Sequence, residues 1–279
     1  METVVTGKGT EVRFGQNLPT VIIGERINPT GRKPLAEQLR QGKFDIVRED
    51  AIKQTKAGAQ IIDINVGAVG VDEVEMLPKA VKAVMEVTNQ PLCLDSANPE
   101  ALKAALEVYP YKAIINSVNG KEKSLEEVLP MVKGSGSAVI CLTMDDSGIP
   151  DSVEKRFEIA EKIIRRAEST GIKREDLVFD CLVMANAANS NAGRITLETQ
   201  RRLAGEFGVS IAGGYSNVSF GMPKRNLLNI DFIIMGIASG LCAPIADPLT
   251  DNLMEAIKAA DFLVGRDPYG VGYLSFYRK

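Results

Sequence analysis

Four side chains with hydrogen-bond acceptor chemistry stand where apolar residues are expected. Asp63 interrupts QIIDIN (60–65), Asp95 closes PLCLD (91–95), Asn116 lies in KAIINS (112–117) and Asp180 in LVFDC (177–181). A carboxylate buried alone is unfavourable unless something donates hydrogen bonds to it. Four such residues brought to one place therefore imply a ligand rich in N–H groups. A carboxylate accepts from a ring N–H and an exocyclic NH2, while an asparagine donates and accepts at once, which suits a carbonyl beside an N–H. The set matches a flat heterocycle with an amino-amide edge. Any single strand-flanking Asp or Asn also has an ordinary explanation as a helix cap, and that explanation fits Asn98 and Asp145 well. An oxygen-only magnesium site of Asp63, Asp95, Asp180 and Asp247 is the other functional reading, although the interleaved asparagines favour hydrogen-bond recognition over charge neutralisation. A sugar-phosphate site would want more positive charge and a glycine-rich turn, for which Ala212-Gly213-Gly214 is a weak candidate.

The rest of the composition narrows the chemistry. There is no histidine, which excludes imidazole acid–base catalysis, His-based triads and His–metal sites. Carboxylates, amides, hydroxyls, lysines or a bound cofactor must carry any reaction. The four cysteines, Cys93, Cys141, Cys181 and Cys242, form no CxxC and fall in or beside apolar runs, so they are expected as buried, inert thiols, and no metal site is expected. Basic and acidic side chains number 33 and 36 and are well mixed. With no basic stripe, 5% aromatics and no Trp, a nucleic-acid partner is not expected. No apolar run approaches the ~20 residues of a membrane span, and METVVTGKGTEVRFG does not read as a signal peptide, so cytoplasm is the expected location.

Short apolar runs at 21–25, 60–65, 91–95, 112–117, 138–144, 177–181, 209–214 and 242–247 alternate with amphipathic stretches at 45–57, 72–88, 98–107, 123–133, 152–169, 195–207, 223–239 and 250–263. The strands are apolar throughout instead of alternating, as parallel strands covered by helices are. Eight repeats of about 30 residues fit an α/β fold of the (β/α)8 TIM-barrel type. A doubly wound sheet is the rival, but GERINPTGRK after the first strand is neither GxGxxG nor a Walker loop. Residues 1–18 read as a hairpin-like extension turned at Gly7–Gly9 and placed as a plug in the barrel floor; residues 19–279 read as one barrel domain.

In a barrel the C-terminal strand ends share one face, where sites are built. They carry Glu25, Arg26 and Asn28; Asp63 and Asn65; Asp95 and Ser96; Asn116, Ser117 and Asn119; Thr143 and Asp145; Asp180; Ser216, Asn217 and Ser219; and Asp247. Arg26, Arg32, Lys33, Lys224 and Arg225 fall on loops of the same face, as solvated charge or as contacts for an anionic tail or an acidic partner.

GERIN at 24–28, DINVG at 63–67, LCLDS at 92–96, INS at 115–117 and SNVS at 216–219 closely resemble the pterin-binding methyltransferases, in order from about residue 21 to 265. The nearest kin are the methyltetrahydrofolate:corrinoid protein methyltransferases; the folate domain of cobalamin-dependent methionine synthase is more distant. The resemblance implies a β/α barrel, usually a homodimer. It implies methyl transfer between N5 of methyltetrahydrofolate and the cobalt of a corrinoid (cobalamin) carried on another protein. It also implies that Asp95, Asn116 and Asp180 hold the pterin, with Ser96 and Arg225 beside the ligand, and that Asn217 lies near N5 and swings in when folate binds. Asp63 belongs to the same network.

The residues allow a compatible mechanism. A tertiary amine leaves poorly unless N5 gains a proton or a strong hydrogen bond. Asn217 cannot ionise, but it can stabilise a protonated N5 more strongly in the transition state than in the ground state, with Asp63 acting through water. Dihydropteroate synthase shares this fold and pocket, but its strand-seven lysine and late Ser-x-Arg are replaced here by SNVSFG and ADPLTDN. Another pterin enzyme on the same barrel and a non-catalytic folate carrier remain the alternatives.

Overall fold

The computed structural model describes residues 1–278. The chain opens with an antiparallel hairpin, β1 (Glu2–Gly7) and β2 (Thr10–Gly15). The remaining strands are β3 (Ile23–Ile27), β4 (Ile61–Asn65), β5 (Leu92–Asp95), β6 (Ile114–Asn119), β7 (Ala138–Leu142), β8 (Leu177–Asp180), β9 (Ser210–Gly214) and β10 (Ala243–Ala246). All eight pair in parallel and close into a barrel in the order β10-β3-β4-β5-β6-β7-β8-β9. The helices are α1 (Lys33–Arg40), α2 (Asp45–Lys56), α3 (Glu73–Met85), α4 (Pro99–Val108), α5 (Glu122–Ser135), α6 (Val153–Ser169), α7 (Ala192–Phe207), α8 (Arg225–Ala238), α9 (Leu253–Leu263) and α10 (Val271–Tyr277). None among the described residues is long and apolar enough to cross a membrane.

The parallel barrel follows from strands that are apolar on both faces. Ile62 and Ile64 point outward into the layer shared with the helices, while Ile61 points inward. The helices close that layer with one stripe each; α6 buries Ile159, Ala160, Ile163, Ile164 and Ala167, the spacing of a single helical face. Asn98 caps α4 as expected, whereas Asp145 caps no helix and instead accepts from Ser147 N–H in the turn before α6, whose cap is Ser152. Asn98 accepts from Glu100 N–H at 3.0 Å, and Ser152 from Lys155 N–H at 3.2 Å.

Two strands lie two residues later than their apolar runs. β3 continues to Ile27, which pairs with Ile64 after a register shift beyond Gly24. β6 continues to Asn119 after a similar shift beyond Asn116. Both irregularities lie at the C-terminal rim, where bulges re-aim side chains.

The hairpin closes the floor. Val5 and Phe14 are fully buried and join Ile23, Ile61, Cys93, Ile114 and Val178 in the lower barrel interior. Polar ties hold it there: Thr6 N–H donates to the Lys112 carbonyl at 3.0 Å, Thr3 Oγ1 to the Glu175 carbonyl at 2.7 Å, and Gln16 Nε2 to the Gly240 carbonyl at 2.9 Å. Each acceptor precedes a barrel strand.

Candidate active site

Strand periodicity of two and the barrel register put Asn65, Asp95 and Asn116 side by side in one inward row, with Asp63 and Cys93 in the row beneath. Asn65 Nδ2 donates to Asp95 Oδ2 at 2.9 Å, and Asn65 Oδ1 accepts from Gly67 N–H at 2.8 Å. One amide thus orients the Asp95 carboxylate and is itself fixed by the loop. Asp180 ends β8 further round the mouth, where its Oδ1 accepts from Leu182 N–H at 2.7 Å. The chain must pass close to that carboxylate: a Cβ on Gly213 would stand 2.8 Å from Asp180 Oδ1, so only glycine fits there.

Burial sets the charge state of this ring. Removal from water pushes Asp95 up to about 6; Asn65's hydrogen bond opposes the rise and the Glu73 charge adds to it. Asp180 is likewise pushed up to about 6 by burial, against the pull of Leu182 N–H, the Arg156 guanidinium and Gly214 N–H. Asp63 is 2% exposed, and its Oδ1 has no hydrogen-bond partner among the described residues. Burial first and the Asp95 charge second hold its carboxyl well above the usual range. Asp63 thus holds its proton more tightly than Asp95 or Asp180 would in water, in the row beneath Asp95. Such a ring accepts hydrogen bonds from a ligand lying above it.

Asn217 stands on the opposite side of the mouth, in the short 3-10 turn Tyr215–Ser219 that follows β9. It is exposed, and its side-chain amide makes no hydrogen bond within the described residues. The turn beneath it is held firmly. Arg225 Nε donates to Ser219 Oγ at 3.0 Å and its Nη2 to the Ser216 carbonyl at 2.9 Å, while Ser219 Oγ donates to Asn229 Oδ1 at 2.6 Å. A free amide on a fixed base is suited to turning toward a ligand.

Beside this turn lies a cavity of about 330 Å³ lined by Glu25, Ser216, Arg225, Asn226, Asn229 and Asp247, among others. Burial and the Asp247 charge push Glu25 up to about 7, with Arg225 opposing. Asp247 accepts from Arg26 Nη1 at 2.6 Å. Arg26 also lies 3.4 Å from Asp50, which receives Arg32 Nη1 at 2.6 Å. Asp247 thus joins a network that pins the loop after β3.

The structure brings Asp63, Asp95, Asn116 and Asp180 to one mouth, with Asn217 and Arg225 across it from Asp95 and on the side of Asp180. Ser96 is buried, and its hydroxyl donates to Glu73 at 2.6 Å while accepting from Asn98 N–H at 3.0 Å, so it ties the loop to α3. Asp63, Asp95, Asp180 and Asp247 do not form a cage: among the described residues no three His, Cys, Asp or Glu side chains are grouped to hold a metal ion. Of the basic loop residues, Arg26 and Arg32 are paired with carboxylates, Arg225 clamps the turn, and Lys33 and Lys224 are exposed. Glu73, Asn229 and Arg156 also shape the site. They lie on helices with no motif around them, and only the packing of α3, α8 and α6 against the mouth reveals them.

Comparison with known proteins follows the same outline. The profile described as "Pterin binding enzyme" matches residues 24–245. A methylcorrinoid:tetrahydrofolate methyltransferase of Eubacterium limosum is 30% identical over 265 residues, 93% of this chain and 96% of that protein. A methionine synthase of Mycobacterium leprae is 31% identical over 245 residues, 83% of this chain but 20% of that longer protein. Among solved structures, dihydropteroate synthase of Xanthomonas albilineans with 4-aminobenzoic acid superposes with a TM-score of 0.72 at 18% identity, covering 94% of this chain and 98% of the other. At that identity the likeness is one of fold.

Proposed function

The chain belongs to the pterin-binding enzymes, and from that premise we propose that it moves a methyl group between N5 of methyltetrahydrofolate and the cobalt of a corrinoid carried by a partner protein. The observation that carries this reading is the split of the mouth into two halves. One half, the Asn65–Asp95–Asn116 row of β4 to β6, offers acceptors and an amide to the amino-amide edge of a pterin, with Asp180 of β8 as a further acceptor beside β9. The other presents the unengaged amide of Asn217 on a clamped turn. The end-to-end likeness to a methylcorrinoid:tetrahydrofolate methyltransferase supports the same reaction.

The residues then divide the work. Asp95 and Asp180 accept from the pterin N–H groups, Asn116 pairs with a carbonyl and its neighbour, and binding N–H donors there favours the ionised carboxylates. Asn217 turns onto N5 and stabilises it as the C–N bond breaks and the electron pair returns to nitrogen. Asp63, whose proton is held more tightly by burial and by the Asp95 charge, acts on N5 through water. The cobalt of the partner supplies or receives the methyl, so the chain's main task is alignment. The same site serves both directions of transfer. Cytoplasmic residence and pairing as a homodimer belong to the proposal; Leu227, Leu228 and Met235, exposed on α8, are apolar surface that pairing would cover.

Mixing the purified protein with methyltetrahydrofolate and reduced cobalamin, alone and on a corrinoid protein, tests the reading by the methylcobalamin spectrum. Methyl transfer is expected. Tight folate binding with no transfer to either acceptor would leave a folate carrier in its place. Sedimentation equilibrium tests the dimer, and a monomer at micromolar concentration would remove that part.

A further inference from the structure

Arg156 on α6 is fully buried, yet no carboxylate among the described residues lies within salt-bridge distance of it. Its Nε donates to the Pro150 carbonyl at 2.8 Å, and its Nη1 to the Leu182 carbonyl at 2.9 Å and to the Cys181 carbonyl. Its Nη2 is buried without a partner. A guanidinium buried without a counter-ion carries a desolvation cost, set against the three carbonyls it satisfies.

The reason lies in what it grips. Leu182 has φ of +54°, which non-glycine residues seldom adopt. In that conformation its N–H turns back onto Asp180 Oδ1 at 2.7 Å. Its carbonyl is held by Arg156 at 2.9 Å and by Thr196 Oγ1 at 3.2 Å. Resting on the reading of Asp180 as a pterin ligand, we infer that Arg156 is a positioning residue: it locks the peptide after Asp180 in a left-handed turn, which holds that carboxylate in one orientation at the barrel mouth.

The same cation acts on Asp180 through space. Its positive charge opposes the rise that burial imposes on the carboxyl. The other titratable groups facing Asp180 are the Cys181 thiol and the Tyr215 phenol, and burial pushes both upward, so they stay neutral across the physiological range. Asp151 is the remaining charge that faces Arg156. Asp180 therefore reports on Arg156 with little interference.

Two variants, Arg156→Met and Arg156→Lys, test the inference by carbon-13 NMR titration of the Asp180 carboxyl in the free protein, together with calorimetric binding of methyltetrahydrofolate. In R156M the Asp180 midpoint should rise by about one pH unit or more, the effect of losing a nearby opposite charge. Folate affinity should fall roughly tenfold at pH 7, with the gap narrowing toward pH 8.5. In R156K the midpoint should stay near the wild-type value while affinity falls roughly threefold to tenfold, because an ammonium keeps the charge and loses the fork. An unmoved midpoint and unchanged affinity in folded R156M would overturn the inference. If R156M does not fold, wild-type affinity in R156K would overturn it. A wild-type protein that binds no folate would instead refute Asp180 as a pterin ligand, and the midpoint in the free protein separates that failure from the other.

Discussion

Replacing Asp95 with asparagine should make the free protein more stable while removing its grip on folate. Asp95 is pushed up to about 6 from the ordinary 3.8 of an aspartate. Holding it ionised in the folded state therefore costs roughly 3 kcal/mol, at 1.36 kcal/mol for each pH unit. Some of that relief is shared with Asp63, which feels the Asp95 charge, so about 2–3 kcal/mol is expected. The amide oxygen of an asparagine can still accept from Asn65 Nδ2, now at 2.9 Å, so little is lost in exchange. The sign follows from the raised value. Below the unfolded pKa the carboxyl is protonated in both states and the wild type carries no penalty. As pH rises the unfolded chain ionises first, and the penalty grows until the folded pKa is passed. The advantage of D95N should therefore be small at pH 4, roughly 0.5 kcal/mol, and full by pH 7.5, worth roughly 4–8 °C in melting temperature for a chain of this size. Urea denaturation at pH 4, 5, 6 and 7.5, with calorimetric titration of methyltetrahydrofolate at pH 7.5, measures both halves. A variant less stable than wild type at pH 7.5, or equally stabilised at pH 4 and 7.5, would refute the reasoning.

Asn217→Ala should lower the rate of methyl transfer roughly 10²–10³-fold while folate affinity changes by about fivefold or less; single-turnover kinetics beside equilibrium binding would show it, and equal losses in both would mean the roles are misassigned. Glu25, pushed up to about 7 by burial and Asp247, is protonated below that pH and ionised above it. Glu25→Gln fixes the protonated form, so an inflection near pH 7 in the wild-type rate profile should be absent from the variant, and its survival would move the titration to another group. Phe14→Ala opens a hole in the fully buried floor and should lower stability by roughly 3–5 kcal/mol with folate affinity unchanged, which denaturant titration and calorimetry can separate.

The barrel was legible because parallel strands covered on both sides must be apolar throughout, and eight such runs recur at even spacing. The same rule marked the candidate site: Asp63, Asp95, Asn116 and Asp180 stand out only because they sit in apolar runs. Residues outside the runs carry no such contrast. Arg26 and Arg32 read as loose surface charge, because nothing local tells that Asp50, on α2, receives both. Glu73 and Arg156 look like the polar face of an ordinary helix until packing turns them inward. Helix α1 was missed because KPLAEQLR buries only Leu35, Ala36 and Leu39, too few to show a period. Strand ends shifted because register irregularities after Gly24 and Asn116 depend on pairing partners, which are distant in the chain.

The hairpin across the floor governs traffic. With Val5 and Phe14 seated in the packed lower interior, the site can be reached only from the opposite face, where Asn217 stands. On the proposed reading, whatever rests on Asp95 and Asp180 enters and departs by that face, and a corrinoid protein delivering cobalt to the same place would cover it. On that reading, too, exchange of the folate then waits for the partner to lift away, and the lifetime of that encounter limits the turnover rate.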